Sequence, residues 1–599
     1  MTKSIRIGGA SGYWGDSYEA PKQLIEKGDV DYLVFDFLAE VTMSILARAR
    51  ARSDTAGYAR DFVAMLTPLL PEIARRGIKV IANAGGVNIE ACRLALAEAC
   101  AEQGVELSIG AIDGDNLLKR ADQIRALGVA EIETGDPLPE DVMSVNAYLG
   151  GFPIAAALDA GADIVITGRC VDSAVVLGPL IHEFGWGADD FDQLAQGSLA
   201  GHLLECGAQA TGGNFTDWQD VAADWHNMGY PIAIVTANGD FDVVKPKGTG
   251  GIVSPLSVGE QMLYEIGDPA SYLLPDVACD FRNVTILQTG EHQVSVAGAR
   301  GRAPGPDYKV SATWQDGYKC AATMVIAGLD VVAKSEAMKN SLLKRMAVQF
   351  GERGLDDFED VDYQIVGAES LYGDSAHPAS RKNREVVLRL ALRHRQKEAL
   401  ALFTKEFIGT ALSMVTGRCG VESGLPKVSP MVRLYSFMLR KDQVPVTVAV
   451  DGKAIDLPPM PGSNADLEAP SPTVTPETVA EMQGERVSVP LIDLAVARSG
   501  DKGNSANVGI IARDPAWLPA IRQSLTAEAV KKYFAHFAAG DVERYDVPGI
   551  HGFNFLMHDA LGGGGMASTR LDVQAKTYGQ LILDFPISIS AELAATIKT

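Results

Sequence analysis

Cysteine is scarce and dispersed in this chain. Seven thiols (Cys92, Cys100, Cys170, Cys206, Cys279, Cys320 and Cys419) are odd in number and form no C-x-x-C pair, which indicates neither a disulfide framework nor a zinc knuckle and fits a reducing cytoplasm. Positive charge is also in deficit, with 53 Lys and Arg against 76 Asp and Glu for a net charge of -23. Nucleic-acid footprints and basic membrane-surface patches need clustered Lys and Arg, so the expected partners are a small molecule and further copies of the chain. No run of about 18 apolar residues occurs, and the N-terminal residues lead into a strand without an apolar leader, so neither a membrane nor an export route is expected.

Several catalytic signatures are missing as well. None of the nine histidines stands in a His-x-His or His-Glu-x-x-His arrangement, which leaves no metal site expected beyond an unspecific carboxylate set of Asp36, Asp113 and Asp115 for Mg²⁺. A Gly-x-Ser-x-Gly elbow is absent, against a serine hydrolase. The one Tyr-x-x-x-Lys spacing, Tyr18 to Lys22, follows the first glycine loop directly and lies at the wrong end of the fold for short-chain dehydrogenase chemistry. Cys206, the most suggestively placed thiol, reads first as a small buried hydrophobe.

What is present is an ordinary globular composition, 47% hydrophobic and 22% charged over 599 residues, enough for about three to four domains. The stretch Ile5-Arg6-Ile7 runs into Gly8-Gly9-Ala10-Ser11-Gly12-Tyr13-Trp14-Gly15-Asp16. It reads as a strand, a glycine loop and then a helix near 17–27 whose free N–H groups would face an anion, with Gly9, Ser11 and Gly12 as substrate-binding candidates. The Gly9-x-x-Gly12-x-x-Gly15 spacing resembles a dinucleotide fingerprint, although a plain tight turn gives the same pattern.

From residue 5 to about 172, strand-like runs alternate with amphipathic helical runs. The fold class expected is α/β, with a mostly parallel sheet covered by helices on both faces in the N-terminal part, a mixed α/β middle region and a small α+β C-terminal domain. Strands are expected over 4–8, 31–37, 78–82, 107–111, 131–134 and 163–167. Ligands of open α/β sheets collect outside the carboxyl ends of the strands. The polar residues there supply Asp36, Glu40, Asp113, Asp172 and, farther on, Glu205 as catalytic candidates, with Gly85, Gly86, Asn88 and Arg169 for substrate binding. Asn88, Asp113 and Asn116 are equally well placed as helix caps, and Arg169 could instead pair locally with Asp172.

Residues 201–456 read as a mixed α/β continuation or second domain with helical character over 383–402. Two loops in it, one with Gly212, Gly213 and Asn214 and the other with Lys247, Gly248, Thr249 and Gly250, join the substrate-binding set. The second falls short of a P-loop because no Gly-Lys-Ser/Thr follows at the right spacing. Thr416-Gly417-Arg418-Cys419 echoes Thr167-Gly168-Arg169-Cys170, an echo best read as chance. Residues 457–486 are proline-rich and read as a linker, separating a module at 487–599 with strands near 490–497 and 507–512, a helix over 518–538 and a late strand pattern over 569–588. In this module the turn Ser499-Gly500-Asp501-Lys502-Gly503-Asn504 makes Lys502 a binding candidate. Gly562-Gly563-Gly564-Gly565 implies close backbone approach or a flap.

Together, residues 8–16, 32–40, 83–88, 159–172, 201–213 and 245–251 resemble the acyclic terpene utilisation (AtuA-like) proteins, and 498–507 resembles the signature of that family's C-terminal domain. The family carries an acid where this chain has Asn504, and valine-alanine where it has Cys170-Val171, so neither position is given a proton-transfer role. The resemblance implies a place in acyl-CoA or branched-chain and terpenoid acid catabolism. A hydratase or other lyase-type enzyme fits, with Glu40 or Asp36 as general base, Asp113, Asp172 and Glu205 as alternates, Arg169 orienting a substrate carboxylate, and no cofactor beyond a CoA moiety carried by the substrate. The alternatives are a noncatalytic ligand-binding or scaffold subunit of an acyl-CoA pathway complex, and a dinucleotide-dependent oxidoreductase.

Overall fold

The computed structural model describes residues 3–419, 424–464 and 485–597. Its N-terminal part is built on β1 (Ser4–Ser11), β2 (Tyr32–Phe35), β3 (Lys79–Ala82), β4 (Ile109–Asp113), β5 (Val142–Ala147) and β6 (Ile164–Thr167). Five of these form a parallel block in the order β1-β2-β3-β6-β4, flanked by antiparallel strands to give eleven in all. Alternate residues of one strand point to opposite faces, and both faces are dry. Tyr32 and Val34 enter one core with the helices Phe152–Asp159, Ala174–Phe184 and Phe191–Leu204, while Leu33 and Phe35 enter another with Glu19–Lys27, Arg60–Leu66 and Ile89–Gln103. Because crossover helices cover a parallel sheet on both sides, its strands are short continuous apolar runs, which is how they were legible.

The sheet crosses residue 200 in both directions. Strands Ile232–Thr236 and Phe241–Val244 extend it beyond β1, and Thr447–Val450 pairs with β4 on the far edge. A second sheet is organised on the 21-residue strand Asp307–Ala327. β5 stands outside the first sheet and pairs with that long strand, Val310 opposite Ala147.

Four expected elements take other forms. The strand at 131–134 is a turn in which the Glu131 carboxylate accepts from the N–H groups of Glu133 and Thr134 at 2.6 and 2.8 Å. The helical reading of 383–402 gives way to strand Glu385–His394 followed by helix Lys397–Gly409. There Val386, Leu388, Leu390 and Leu392 are buried at a period of two, the signature of a strand facing one core. In the C-terminal module the helix over 518–538 breaks into Leu518–Ser524 and Ala527–Tyr533, because Thr526 starts a new helix by accepting from the Ala529 N–H. The late strand shortens to Pro586–Ser590 behind helix Tyr578–Ile582.

The C-terminal module is a small α+β domain whose four-stranded antiparallel sheet joins Ala495–Lys502, Ser505–Ala512, Gly552–Met557 and Val542–Val547. The four-glycine run approaches the 499–507 hairpin closely. Gly563 donates to Asn504 Oδ1 at 2.7 Å, and a Cβ on Gly564 would lie 2.9 Å from the Gly503 carbonyl. Of the proline-rich stretch, 465–484 lies outside the described residues. The module docks on the middle region through paired polar groups. Asn507 donates to Leu263 O and accepts from Glu265 N, Asn554 donates to Ile266 O and Gly267 O, and Arg513 grips Asp217 with two bonds of 2.6 Å. These contacts do not depend on the connecting chain, so cleavage within 465–484 should leave the two fragments co-eluting on size exclusion at low salt. Separate elution would show that covalent linkage holds the module in place.

Candidate functional site

The carboxyl ends of three adjacent strands converge on Asp36. Its backbone carbonyl accepts from Ser11 Oγ at 3.1 Å at the end of β1, and its carboxylate accepts from the side-chain amide of Asn83, the residue after β3. Asn83 in turn accepts from the Phe37 N–H at 2.7 Å, so the turn after β2 is locked from its neighbour. The end of β6 supplies Arg169, only 4% exposed. Its N–H donates to Asp115, its Nη1 donates to Asp172 at 2.5 Å and to the Cys170 carbonyl at 2.6 Å, and its guanidinium lies 4.2 Å from the centre of the Tyr148 ring. The local pairing with Asp172 therefore forms, and it occupies one arm of the fork.

Tyr148, just past β5, donates to Glu40, the first residue of helix Glu40–Arg50, and accepts from Ser311 at 3.0 Å. Lys309 lies over the same ring at 5.0 Å. Glu205 follows helix Phe191–Leu204 and bonds His202 Nδ1 at 2.9 Å, while His202 Nε2 bonds the Met262 carbonyl at 3.1 Å. A carbonyl only accepts, so Nε2 carries the imidazole proton, and with a neutral ring Nδ1 is the acceptor and Glu205 the donor. The hairpin of the C-terminal domain closes the set with Asp501 and Lys502, the latter 5.5 Å from the Tyr272 ring centre.

Electrostatics divides these acids into two kinds. Burial raises Asp36 well above the usual carboxylate range, and the neighbouring charge of Asp172 raises it further against the opposing pull of Arg169. Glu205 is raised well for the same reasons, burial first and Asp172 next. His202 is lowered to about 4 by burial and by Lys502, in accord with the tautomer above. Glu40 behaves oppositely: burial opposes its charge, but Lys309, Arg169 and the Tyr148 hydrogen bond outweigh burial and hold it down at about 2. Asp115, beneath Arg169, is pushed by burial up to about 7. Among the described residues, buried polar atoms lacking a protein hydrogen-bond partner concentrate here, namely Arg169 Nε, Ser173 Oγ, Glu205 Oε2, Asp115 Oδ1 and Asp501 Oδ1. Each costs free energy that a bound polar molecule would recover.

Other expected site residues lie elsewhere or have structural employment. Asp113 is exposed and accepts from the following Gly114 N–H, away from Asp36, and no three His, Cys, Asp or Glu among the described residues are set to hold a metal ion. Asn88 sits at a helix start without capping it, and its side chain holds the carbonyls of Asp54 and Ala56. Gly85 and Gly86 are packed against the carbonyls of Thr167 and Gly57. The loop of Lys247, Gly248, Thr249 and Gly250 closes on itself, with Lys245 donating to Thr249 O and Thr249 to Pro246 O.

Gly9 and Gly12 are packed closely against protein backbone. Added Cβ atoms would meet the Leu204 carbonyl at 2.8 Å and Cys206 backbone at 2.7 Å, and the Gly12 N–H is taken by Asp16 at 2.8 Å. The loop thus positions the end of the Glu205 helix. Gly9→Ala is accordingly expected to cost about 1–3 kcal/mol of stability through overpacking. A denaturant midpoint equal to that of the parent protein would return the loop to a ligand role.

Gly212, Gly213 and Asn214 line a separate cleft of about 650 Å³ between the middle region and the C-terminal domain, along with Trp218, Trp225, Arg498 and Lys576. Sequence reasoning missed Tyr148, Lys309, His202, Glu265 and Asp501. Tyr148 and Lys309 come from the second sheet, whose approach to the first depends on the unexpected pairing of β5. Asp501 could have been chosen with its neighbour Lys502, since both stand in the same turn-forming run.

An α/β protein with its polar centre at the carboxyl edge of its parallel strands, capped by a small α+β domain, is the class this build defines. Residues 5–450 match the acyclic terpene utilisation family protein AtuA, and the chain belongs to that family. Residues 489–588 match the AtuA ferredoxin-like domain, which is the C-terminal module described above. No curated protein matches the chain. No helix among the described residues is long and apolar enough to cross a membrane.

Proposed function

We propose that this protein is an enzyme of branched-chain or terpenoid acid catabolism that performs hydration, dehydration or a related lyase reaction on an acyl-CoA. The observation that carries the reading is the convergence of two raised, buried carboxyl groups, Asp36 and Glu205, around one guanidinium, Arg169. Adding water across a double bond beside a thioester carbonyl needs one group to take a proton from water and another to give a proton to carbon. Groups perturbed toward neutrality serve both needs. The family's name supplies the terpenoid character of the acyl group.

Within this reading Asp36 is the base and Glu205 the acid. Glu40, held at about 2, is too weak a base near neutrality and instead fixes Tyr148 and balances Lys309 and Arg169. The Tyr148 proton is already given to Glu40, so Arg169 Nε, which has no protein hydrogen-bond partner, is the donor that would stabilise a developing oxyanion. The test is to incubate the protein with a set of methyl-branched 2-enoyl-CoA esters and follow the loss of the conjugated thioester absorbance. Turnover of at least one ester is expected. Saturable binding of these esters without turnover would favour the noncatalytic subunit.

A further inference from the structure

The cleft lined by Gly212, Gly213 and Asn214 has features that the acid/base centre does not use. Trp218 and Trp225 are 50% and 53% exposed, and their rings lie 6.0 Å apart with 33° between planes. Two large aromatic faces left to solvent side by side in a concave surface are costly unless something flat covers them. Farther in, Arg498 donates to the Asn214 carbonyl at 3.1 Å with its guanidinium 4.8 Å from the Tyr264 ring centre, and Lys576 bonds the Tyr264 hydroxyl. Burial lowers Arg498 and brings Lys576 down to about 8, so both cations would be eased by an incoming anion. Asn214 is held at φ +57, in the left-handed region that non-glycine residues rarely adopt.

The cleft leads toward the centre described above. Lys576 stands 3.4 Å from Glu265, and Glu265 is electrostatically linked to Glu205, Asp172 and Lys502 on its other side. Each wall comes from a different part of the chain, 208–228 on one side and 497–499 with 576–580 on the other, so the cleft exists only with the C-terminal domain docked.

We propose that this cleft binds the phosphorylated adenine nucleotide end of the substrate's CoA carrier, with the base on Trp218 and Trp225 and phosphate at Arg498 and Lys576. This rests on the acyl-CoA reading and deepens it, assigning the carrier to the interdomain cleft and the acyl end to the Glu205 side. Aromatic stacking of a base and charge-assisted bonds from an Arg and a Lys are the chemistry that recognises such a group.

The probe is adenosine 3′,5′-bisphosphate, the nucleotide fragment of CoA, titrated into the full-length protein with tryptophan fluorescence and calorimetry as readouts and NAD as the competing ligand. Saturable quenching is expected, with Trp225→Ala weakening binding about tenfold, the scale of one base stacking on an aromatic ring, and Lys576→Ala weakening it further at low salt. Trp225 is 53% exposed and Lys576, packed on Tyr264, keeps 41% of its side chain open to solvent, and unchanged melting temperatures would show that the variants fold. Absence of saturable binding, affinity untouched in Trp225→Ala and Trp218→Ala, or tighter binding of NAD would each overturn the assignment. The two readings fail separately. Bisphosphate binding without turnover of any thioester removes the chemistry and keeps the cleft. Turnover with a KM unchanged in the tryptophan variants removes the cleft and keeps the chemistry.

Discussion

Asp36→Asn is expected to lower kcat by about two to four orders of magnitude, the usual contribution of a positioned general base, while raising stability at neutral pH. The rise follows from the direction of the Asp36 shift. Its folded-state pKa lies well above the ordinary carboxylate value because burial and Asp172 disfavour its charge. A group raised in this way contributes stability that is fully present below the unfolded pKa, about 4, and is lost as pH rises through the folded value. Asparagine resembles the protonated form, keeps a hydrogen-bonding group toward Asn83 and has no proton to lose. The stability of the variant relative to the parent should therefore grow as pH increases above about 4, as denaturant midpoints taken across the pH range would show. A variant that loses activity and stability together at neutral pH would make Asp36 a scaffold residue.

Arg169→Met is expected to destabilise the protein by about 1–3 kcal/mol, less than for a fully buried ion pair because Arg169 is buried while 37% of the Asp172 side chain stays exposed and solvent screens the charge left behind. Burial opposes the charge on Arg169, yet Asp172, Tyr148, Glu40 and Asp36 outweigh it and keep the guanidinium firmly protonated. Removing it leaves Asp172 without its 2.5 Å partner and Glu40 with Lys309 as its nearest remaining cation. Urea unfolding measures the loss. Part of it should return in the double variant Arg169→Met with Asp172→Asn, because the stranded charge is then gone. An additive double variant would mean that the two side chains are not energetically joined. Arg169 thus carries a structural load that a substrate role would have to share.

The parallel block was legible because β2, β3 and β6 are short apolar runs punctuated by polar residues, and strand ends mark the ligand edge wherever a sheet is parallel. That rule alone placed Asp36, Glu40, Arg169 and Asp172 in one neighbourhood, and Glu205 joined them through the helix packed on Gly9. What stayed hidden is long-range. The glycine loop reads as a phosphate cradle because glycine permits close approach by anything, and only the fold shows that the approaching group is the Leu204 carbonyl. Strand Glu385–His394 escaped notice because Val387 and Ala391 interrupt the alternation of apolar Val386, Leu388, Leu390 and Leu392 with Arg389 and Arg393, whose side chains pair with Asp362, Asp316 and Glu359. The interdomain cleft was visible only in halves, as Gly212-Gly213-Asn214 and as Arg498-Ser499 at the start of the turn-forming run, since no local pattern says that residues almost three hundred positions apart will face each other.

The most direct measurement of the central claim is proton NMR of a methyl-branched acyl-CoA incubated with the protein in D₂O, for the parent chain and Asp36→Asn side by side. The account predicts that the parent introduces solvent deuterium next to the thioester carbonyl, by hydration or by exchange, and that Asp36→Asn does so at no more than about one hundredth of the rate. Equal deuterium uptake in both proteins, or none in the parent with the acyl-CoA demonstrably bound, would contradict it.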